Sequence, residues 1–255
     1  YIYKNIQNNE NIKSVQKQSV TPIQKIKRVR NIFFGISNIL RRREIYAFSD
    51  TMELREMNGK YINKIFDVLM DKKSFLLVEN PVNGNHAPIN KRRTKNIISL
   101  DIFSLLSKII IGKRKIIDNE DILIQINEKY GLNVDAKIMV KKFFKYRGIF
   151  KFFLSLCRPK AIMLSCYYGP TYQSLIYASK EKSIPVIEIQ HGLIKKDDPF
   201  YTSFAKLENN FFPDYLLVWG ENTKKSLQQR CLIKTNNIFP IGSTYIEYMN
   251  KTENK

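Results

Sequence analysis

The chain has 255 residues, of which 44% are hydrophobic and 12% aromatic, and this composition predicts a globular protein and excludes a largely disordered one. Lys and Arg outnumber Asp and Glu by 43 to 23, so the formal net charge of +20 favours an anionic partner such as nucleic acid, a membrane surface or a phosphate-bearing substrate. The cysteines Cys157, Cys166 and Cys231 are widely spaced and form no C-x-x-C pair, which predicts free thiols in the cytoplasm.

Residues 1–43 differ from the rest of the chain in charge. Glu10 is their only acidic residue, whereas ten Lys and Arg residues lie among them. Apolar residues recur at helical spacing between Ile26 and Leu40. A basic amphipathic helix is typical of a segment that lies on an anionic membrane surface. The alternative is an ordinary surface helix that packs its apolar stripe on the domain.

From residue 44 onwards, predicted strands and helices alternate. Strands are expected at residues 45–49, 74–79, 96–100, 161–166, 185–189, 215–219 and 237–242. Helices are expected at residues 63–70, 102–111, 121–157, 170–182 and 221–230, with breaks in the third at Gly131 and at Gly148. This alternation predicts an α/β fold with a doubly wound parallel sheet in a domain of residues 44–248, followed at 249–255 by a short tail or the start of a linker to a second domain.

Several chemistries lack their sequence signals. The chain contains no P-loop, no G-x-G-x-x-G and no G-x-S-x-G elbow. Histidines and cysteines do not occur at metal-ligand spacing, and the acidic run at residues 118–121 is interpreted as a helix start. The sequence therefore predicts no metal and no bound cofactor.

The most informative stretch is the apolar run that ends in Gln190, His191 and Gly192. A buried strand is expected to end there, and ligands bind beyond the carboxyl ends of strands in open α/β sheets. His191 is one of only two histidines, and an imidazole at that position could move a proton. The alternative is a histidine that only caps a turn or packs in the core. Gln190 could bind sugar hydroxyls or simply face the loop, and Gly192 would let a ligand approach the backbone.

Other candidate binding residues lie at the expected ends of strands. Tyr167 and Tyr168 precede a helix start and could stack on a sugar, although one of the two could be a core residue. Glu221 follows Trp219-Gly220 and could either bind substrate or complement a helix dipole. The remaining candidates for binding acceptor hydroxyls are Ser49, Asp50 and Glu79.

The stretch around Gln190-His191-Gly192 resembles bacterial surface-polysaccharide glycosyltransferases of the GT-B type. These include capsule and lipopolysaccharide Kdo-transferase-like and polysialyltransferase-like proteins, and CDP-glycerol glycerophosphotransferases are similar at this point. Further similarity lies in Pro199-x-Tyr201, in the P-D-x-x-x-x-W-G stretch from Pro213 to Gly220, and in Ile241-Gly242-Ser243, although Thr244 stands where proline is common. Upstream, Ser49-Asp50 and Gly59-Lys60-Tyr61 are also similar, so the resemblance covers roughly residues 44 to 248.

The resemblance implies the acceptor-side, Rossmann-like half of a two-domain transferase, with a donor-binding domain expected beyond Lys255. It implies transfer of a sugar, or of a polyol phosphate, from a nucleotide-activated donor to a glycan or lipid-linked glycan. His191 would be the catalytic base, and Tyr201 and Ser243 would join the binding residues. The implied location is the cytoplasmic face of the cell membrane. Nucleic acid is not the expected partner, because the basic runs are scattered and lie in no recognition motif. The alternatives to a transferase are a nucleic-acid-binding module and a catalytically silent scaffold.

Overall fold

The chain folds around a parallel sheet in the computed structural model, which describes residues 29–50, 53–67, 75–81, 85–109, 118, 120–205, 207–227 and 231–253. Seven strands form this sheet and two form a separate hairpin. The strands are β1 (Ile45–Ser49), β2 (Leu54–Met57), β3 (Lys60–Asn63), β4 (Phe75–Glu79), β5 (Ile97–Ser99), β6 (Ala161–Leu164), β7 (Val186–Ile189), β8 (Tyr215–Val218) and β9 (Ile238–Pro240).

The strand order of the main sheet is β5-β4-β1-β6-β7-β8-β9, and every neighbouring pair is parallel. The predicted α/β fold with a doubly wound parallel sheet is confirmed. Chain order runs outward in both directions from the β1–β6 pair, so the connections diverge there and leave a crevice at the carboxyl ends of these two strands.

Helices lie between β5 and β6, between β6 and β7 and between β8 and β9, where they connect parallel strands, and one more follows β9. They are α1 (Asp101–Ile109), α2 (Glu120–Tyr130), α3 (Ala136–Cys157), α4 (Pro170–Lys180), α5 (Glu221–Leu227) and α6 (Thr244–Glu253). Asp135 caps α3, because its side chain accepts a hydrogen bond from the backbone N–H of Ile138. Pro170 begins α4 with a fixed φ where no backbone donor is needed.

The main core lies between one face of the sheet and the packed helices α3 and α4. Alternate strand residues such as Tyr46, Phe48 and Leu164 contribute to it because successive strand side chains point to opposite faces. On the other face, Ile65 and Phe66 cover β1 and β4. Over β8 and β9 that second face is less covered, since Tyr215 is 37% and Phe239 44% exposed.

The segment between β1 and β4 corrects one prediction. A helix was expected at residues 63–70, but Asn63 ends the second strand of the β2–β3 hairpin and Lys64 to Phe66 form a turn, so only Asp67 of the described residues is helical there. The two-residue loop Asn58-Gly59 has positive φ angles of 50° and 71° at its two residues. Both φ angles favour a tight hairpin turn, for which Asn-Gly is a strong sequence signal. Residues 68–70 lie outside the described residues.

Two other predicted boundaries change. The helix predicted at residues 121–157 is interrupted at Gly131, where φ is 58°. It continues through Gly148 as α3, so the second predicted break is wrong. The strand expected at residues 161–166 ends at Leu164, which leaves Ser165 and Cys166 in the loop above the sheet.

Residues 29–43 contact the β5 edge of the sheet. The backbone N–H of Ser99 donates to the carbonyl oxygen of Phe34, and the Asn38 amide donates to the carbonyl of Ile97. Gly35 has a φ of 69° and lies so close to Ile97 that a Cβ there would be 1.8 Å from its carbonyl oxygen. The expected long amphipathic helix does not extend through this part, because a turn at residues 33–35 separates a short helical turn from a 3-10 helix at Ile36–Leu40. The remainder of the predicted basic amphipathic segment, residues 1–28, lies outside the described residues.

Candidate functional site

The candidate site is the crevice at the carboxyl ends of β1, β6 and β7. Asp50 directly follows β1, and its backbone N–H donates to the Ser165 hydroxyl at the end of β6 with an N–O distance of 3.0 Å. Gln190 and His191 follow β7, the next strand in the sheet. The carboxyl ends of neighbouring parallel strands meet at one edge, so these loops lie together at the point where chain order diverges.

His191 lies half-buried in this crevice. Its Nε2 is 3.0 Å from the Tyr168 hydroxyl oxygen, while Nδ1 is buried and has no hydrogen-bond partner among the described residues. Burial lowers the pKa of His191, an effect opposed by the negative charge of Asp50. The imidazole is therefore neutral near pH 7, and a neutral imidazole can accept a proton.

The Gln190 side chain is 1% exposed, and both ends of its amide bind the protein backbone. Oε1 accepts from the backbone N–H of Trp219 at 2.7 Å, and Nε2 donates to the carbonyl of Gly192 at 2.8 Å. These bonds join the end of β7 to the end of β8 and close the loop around His191. In place of the predicted contact with sugar hydroxyls, the structure gives Gln190 the role of holding this loop.

Tyr167 and Tyr168 have different environments. Tyr167 is 3% exposed and belongs to the main core, which is the alternative weighed for one of the two tyrosines. Tyr168 is half-buried, and its ring stacks on Phe200 with a centroid distance of 4.2 Å. Burial raises the pKa of Tyr168, and the nearby Cys166 thiol adds to this shift. Tyr168 therefore faces the crevice, but its ring is stacked on Phe200 within the protein.

Charged groups from three loops influence His191. The electrostatic effects come from Asp50, Lys64 and Asp198. Lys64 follows the β2–β3 hairpin, and its carbonyl accepts a hydrogen bond from the Thr244 hydroxyl at 3.2 Å. The start of α6 thus lies beside the crevice. Sequence reasoning did not select Lys64 or Asp198, although the Asn58-Gly59 turn could have indicated that a hairpin brings Lys64 here.

Ser49 is fully buried at the end of β1 and supports the hairpin. Its hydroxyl accepts from the Asn63 amide at 2.7 Å and donates to the carbonyl of Asp50 at 3.1 Å. The Asn63 Oδ1 in turn accepts from the backbone N–H groups of Ile65 and Phe66. These bonds fix Asp50 and Lys64 relative to each other, and Ser49 lies beneath the crevice rather than on its surface.

Glu79 belongs to a separate buried group of charges at the carboxyl ends of β4 and β5. The Nη2 of Arg92 donates to its Oε2 at 2.7 Å, and His86 Nδ1 lies 3.6 Å from its Oε1. His86 Nε2 is 3.0 Å from the Ser99 hydroxyl, and its ring stacks on Phe34. This pairing engages the Glu79 carboxylate within the protein, whereas its role in binding acceptor hydroxyls stays a prediction.

Tyr201 is also buried, at 3% exposure, and donates its hydroxyl proton to Glu188 Oε1 at 2.9 Å. Glu188 lies fully buried in β7, its Oε2 has no hydrogen-bond partner among the described residues, and burial raises its pKa to about 8. Tyr201 therefore anchors the loop that follows His191 instead of contacting a ligand. Sequence reasoning did not single out Glu188, although a charged residue inside the apolar run Val186–Ile189 was a signal.

The three remaining predicted residues lie at turns and helix starts. Gly192 is half-buried, and a Cβ there would meet nothing within 4 Å, so the loop leaves space next to His191. Glu221 is exposed in the first turn of α5, where a carboxylate complements the helix dipole. Ser243 caps α6, because its hydroxyl accepts from the backbone N–H of Ile246 at 3.4 Å.

The described part of the chain contains no group of three or more His, Cys, Asp or Glu side chains placed to hold a metal ion. Within the same residues, no helix combines the length and the apolar character needed to cross a bilayer.

No protein-family profile and no curated protein sequence matches the chain. Among solved structures, UDP-N-acetylglucosamine 2-epimerases are similar to the chain in fold. The enzyme from Rickettsia bellii is 13% identical over 84% of this chain and 48% of its own, with a TM-score of 0.39. The enzyme from Neisseria meningitidis, solved with UDP-GlcNAc bound, is 13% identical over 82% of this chain and 50% of its own, with a TM-score of 0.40. The chain spans about half the length of these structures, and similarity at this level supports no conclusion about reaction or substrate.

Proposed function

We propose that the chain is the acceptor-binding, Rossmann-like part of a GT-B glycosyltransferase that extends a bacterial surface glycan from a nucleotide-activated sugar. One observation carries this proposal. A neutral histidine, His191, lies at the crevice where the strand order diverges, and its Nδ1 has no hydrogen-bond partner among the described residues. Glycosyl transfer needs a base for the acceptor hydroxyl, and this is where an α/β sheet binds its ligands.

Each residue has a distinct role in the proposed reaction. His191 accepts the proton of the acceptor hydroxyl as the new glycosidic bond forms. Asp50, at the end of β1, favours the imidazolium that results, because it is the leading charge that raises the His191 pKa. Lys64 acts against that charge, and its ammonium pairs with the buried Glu53 carboxylate, whose Oε2 lies 3.1 Å from Nζ.

The proposed donor is a nucleotide-sugar, and the proposed acceptor is a glycan or a lipid-linked glycan. Asp50, which follows β1 at the crevice, suits a ligand that carries many hydroxyls, because a carboxylate accepts hydrogen bonds from them. The net charge of +20 fits enzymes that act beside anionic lipid at the cytoplasmic face. We propose this face of the membrane as the place of action.

The test uses protein whose histidines alone carry ¹⁵N in the ring, so that only His86 and His191 contribute signals. The labelled chain is titrated with neutral and acidic oligosaccharides of bacterial surface glycans. We expect saturable shifts of the His191 signals with at least one glycan, little change at His86, and weaker binding by Asp50→Asn.

A matched control is double-stranded DNA, which supplies phosphates without acceptor sugars of this kind. Glycan binding that leaves the His191 signals unchanged would contradict the proposed site. Tight DNA binding together with no glycan binding would support a basic nucleic-acid module instead. In the protein that performs the transfer, turnover of UDP-sugars, CMP-sugars or CDP-glycerol with the bound glycan then distinguishes sugar transfer from polyol-phosphate transfer.

A further inference from the structure

Helix α3 is strongly basic. Six of its 22 residues are Lys or Arg, and none is acidic. Arg147 and Lys151 pair with Glu181 of α4. Lys137 pairs with a carboxylate of α2. The lysines of α3 that pair with no carboxylate among the described residues are Lys141, Lys142 and Lys145. Their positive charge is therefore not neutralised within the described part of the chain.

The same helix exposes large apolar side chains on its outward side. Phe152 is 73% exposed, and Leu156, one turn further along α3, is 58% exposed. Ile138, in the first turn, is 63% exposed. An α-helix rotates by about 100° per residue, which places these three side chains and the three lysines within about 100° of its circumference. The apolar and basic side chains therefore share one side of α3.

The end of α1 extends this side of α3. The Lys145 ammonium donates to the carbonyl oxygen of Ser107 at 3.0 Å, and the next two residues of α1, Lys108 and Ile109, are exposed. At a rise of about 1.5 Å per residue, the exposed side chains cover about 27 Å along α3. We call this set the α3 surface, and its members are Ile138, Lys141, Lys142, Lys145, Phe152 and Leu156 of α3 with Lys108 and Ile109 of α1.

The chemistry of the α3 surface fits a lipid bilayer better than a protein partner. The buried centres of protein interfaces are depleted in Lys, which here lies between the apolar residues. At a membrane, by contrast, the Lys stem packs along the apolar boundary and its ammonium stays at the level of the headgroups. Phe and Leu side chains insert below that level. Because α3 has no acidic residue, no carboxylate of the helix is repelled by anionic lipid.

The direction of α3 relates this surface to the candidate site. Phe153 packs on Tyr46, early in β1. Phe150, about one turn earlier in the helix, packs on Phe48, near the end of the same strand. The helix therefore runs antiparallel to β1, and its amino-terminal half lies level with the crevice. A membrane that contacts the α3 surface along its length thus brings lipid headgroups to the level of the crevice.

We propose that the α3 surface docks on an anionic lipid bilayer, with the helix lying in the plane of the membrane. The lysines contact lipid phosphates, and Phe152 and Leu156 insert below them. The proposal deepens the proposed place of action at the membrane. Binding to lipid does not require the transfer reaction, so the glycan titration of His191 in solution succeeds or fails independently of it.

The test is co-sedimentation of the full chain with vesicles at physiological salt, where the Debye length is about 8 Å and distant charges are screened. The vesicles contain either phosphatidylcholine alone or equal parts of phosphatidylcholine and phosphatidylglycerol. Lys141→Gln combined with Lys142→Gln should weaken binding to the anionic vesicles by roughly 10- to 25-fold, since each lysine near the surface contributes about fivefold. Phe152→Ser combined with Leu156→Ser should weaken it by about tenfold or more, because less apolar area is buried.

The matched control removes the same number of charges from another part of the protein. Arg55→Gln combined with Lys60→Gln changes the β2–β3 hairpin, which leads into Ile65 and Phe66 on the opposite face of the sheet. This control should change vesicle binding by less than about threefold. All the altered side chains are exposed, so the urea midpoint of each variant should stay close to that of the wild type.

The depth of position 152 gives a second measurement. Phe152→Trp, combined with Trp219→Phe, leaves one tryptophan in the chain, and we expect brominated lipid to quench its fluorescence. Unquenched emission from vesicle-bound protein would overturn the proposal. Wild-type binding by either α3 variant would also overturn it, as would an equal loss in the control or equal binding of the wild type to both kinds of vesicle. An α3 variant that dissociates a dimer but still binds vesicles normally would assign the surface to a second copy instead.

Discussion

The burial of Glu188 should make the free energy of unfolding depend on pH in a specific way. The residue lies in the middle of β7, is fully buried, and has the Tyr201 hydroxyl as its hydrogen-bond donor at 2.9 Å. Its pKa is raised from 4.5 to about 8, chiefly because burial disfavours the carboxylate. The folded state therefore binds the Glu188 proton more tightly than the unfolded state does.

The sign and size of the effect follow from these two pKa values. The contribution of protonated Glu188 is fully present below pH 4.5 and is lost progressively as the pH rises towards 8. A difference between 4.5 and about 8, at about 1.4 kcal/mol per pH unit, sets an upper limit of about 5 kcal/mol. Glu188→Gln keeps the shape and can still accept from Tyr201, but it does not ionise. Relative to the wild type, this variant should gain stability steadily between pH 5 and pH 8.

The assay is urea unfolding at several pH values, followed by the fluorescence of Trp219, the only tryptophan. Comparing the two proteins at each pH removes the contributions of other groups, including Asp67, whose pKa burial raises to about 6. Glu128→Gln, on the exposed surface of α2, is the control and should change the free energy of unfolding by less than about 0.5 kcal/mol at each pH. Parallel curves for wild type and Glu188→Gln would refute the reasoning.

Three further predictions concern the support of the site and the membrane. Gly35→Ala should lower the free energy of unfolding by more than about 3 kcal/mol, because the new Cβ would lie 1.8 Å from the Ile97 carbonyl oxygen. The control Gly59→Ala has a similar φ of 71° but no atom within 4 Å of the new Cβ, so it should cost about 1–2 kcal/mol. Gln190→Ala should cost about 1–3 kcal/mol in the same urea assay, since it leaves the Trp219 N–H and the Gly192 carbonyl without their partner; an unchanged midpoint would contradict its structural role. Deleting residues 1–28 should reduce binding to phosphatidylserine vesicles by roughly tenfold or more at low salt, measured by co-sedimentation, and equal binding by the shortened chain would exclude that segment.

Local sequence patterns predicted most of the sheet. The run at β1 was predicted with its observed bounds, Ile45–Ser49, and the run at β7 was predicted to begin one residue early, at Pro185, because a continuous apolar run bounded by turn residues is typical of a strand buried on both faces. The β2–β3 hairpin was missed because its strands are short and half-exposed and show little alternation, although Asn58-Gly59 carried the signal. The break expected at Gly148 did not occur, since the packing of α3 on α4 outweighs the low helix propensity of one glycine.

The candidate site was only partly predictable for a different reason. The sequence placed His191, Tyr168 and Asp50 at strand ends, and the sheet brings those loops together. It could not show that Gln190, Tyr201 and Glu79 bind other groups of the protein, because those partners are distant along the chain. Whether a strand-end polar residue faces a ligand or a neighbouring loop depends on tertiary contacts, which spacing does not reveal.

The proposed function requires that His191 acts as a base and is not mainly a structural residue. The most direct measurement compares the single-turnover rate and the thermal midpoint of His191→Ala with those of the wild type, in the protein that performs the transfer. The account predicts a rate lower by about 10²–10⁴-fold. It also predicts a midpoint within a few degrees of the wild type, because one lost hydrogen bond to Tyr168 is worth about 1 kcal/mol. A folded His191→Ala enzyme that reacts at the wild-type rate would contradict the account.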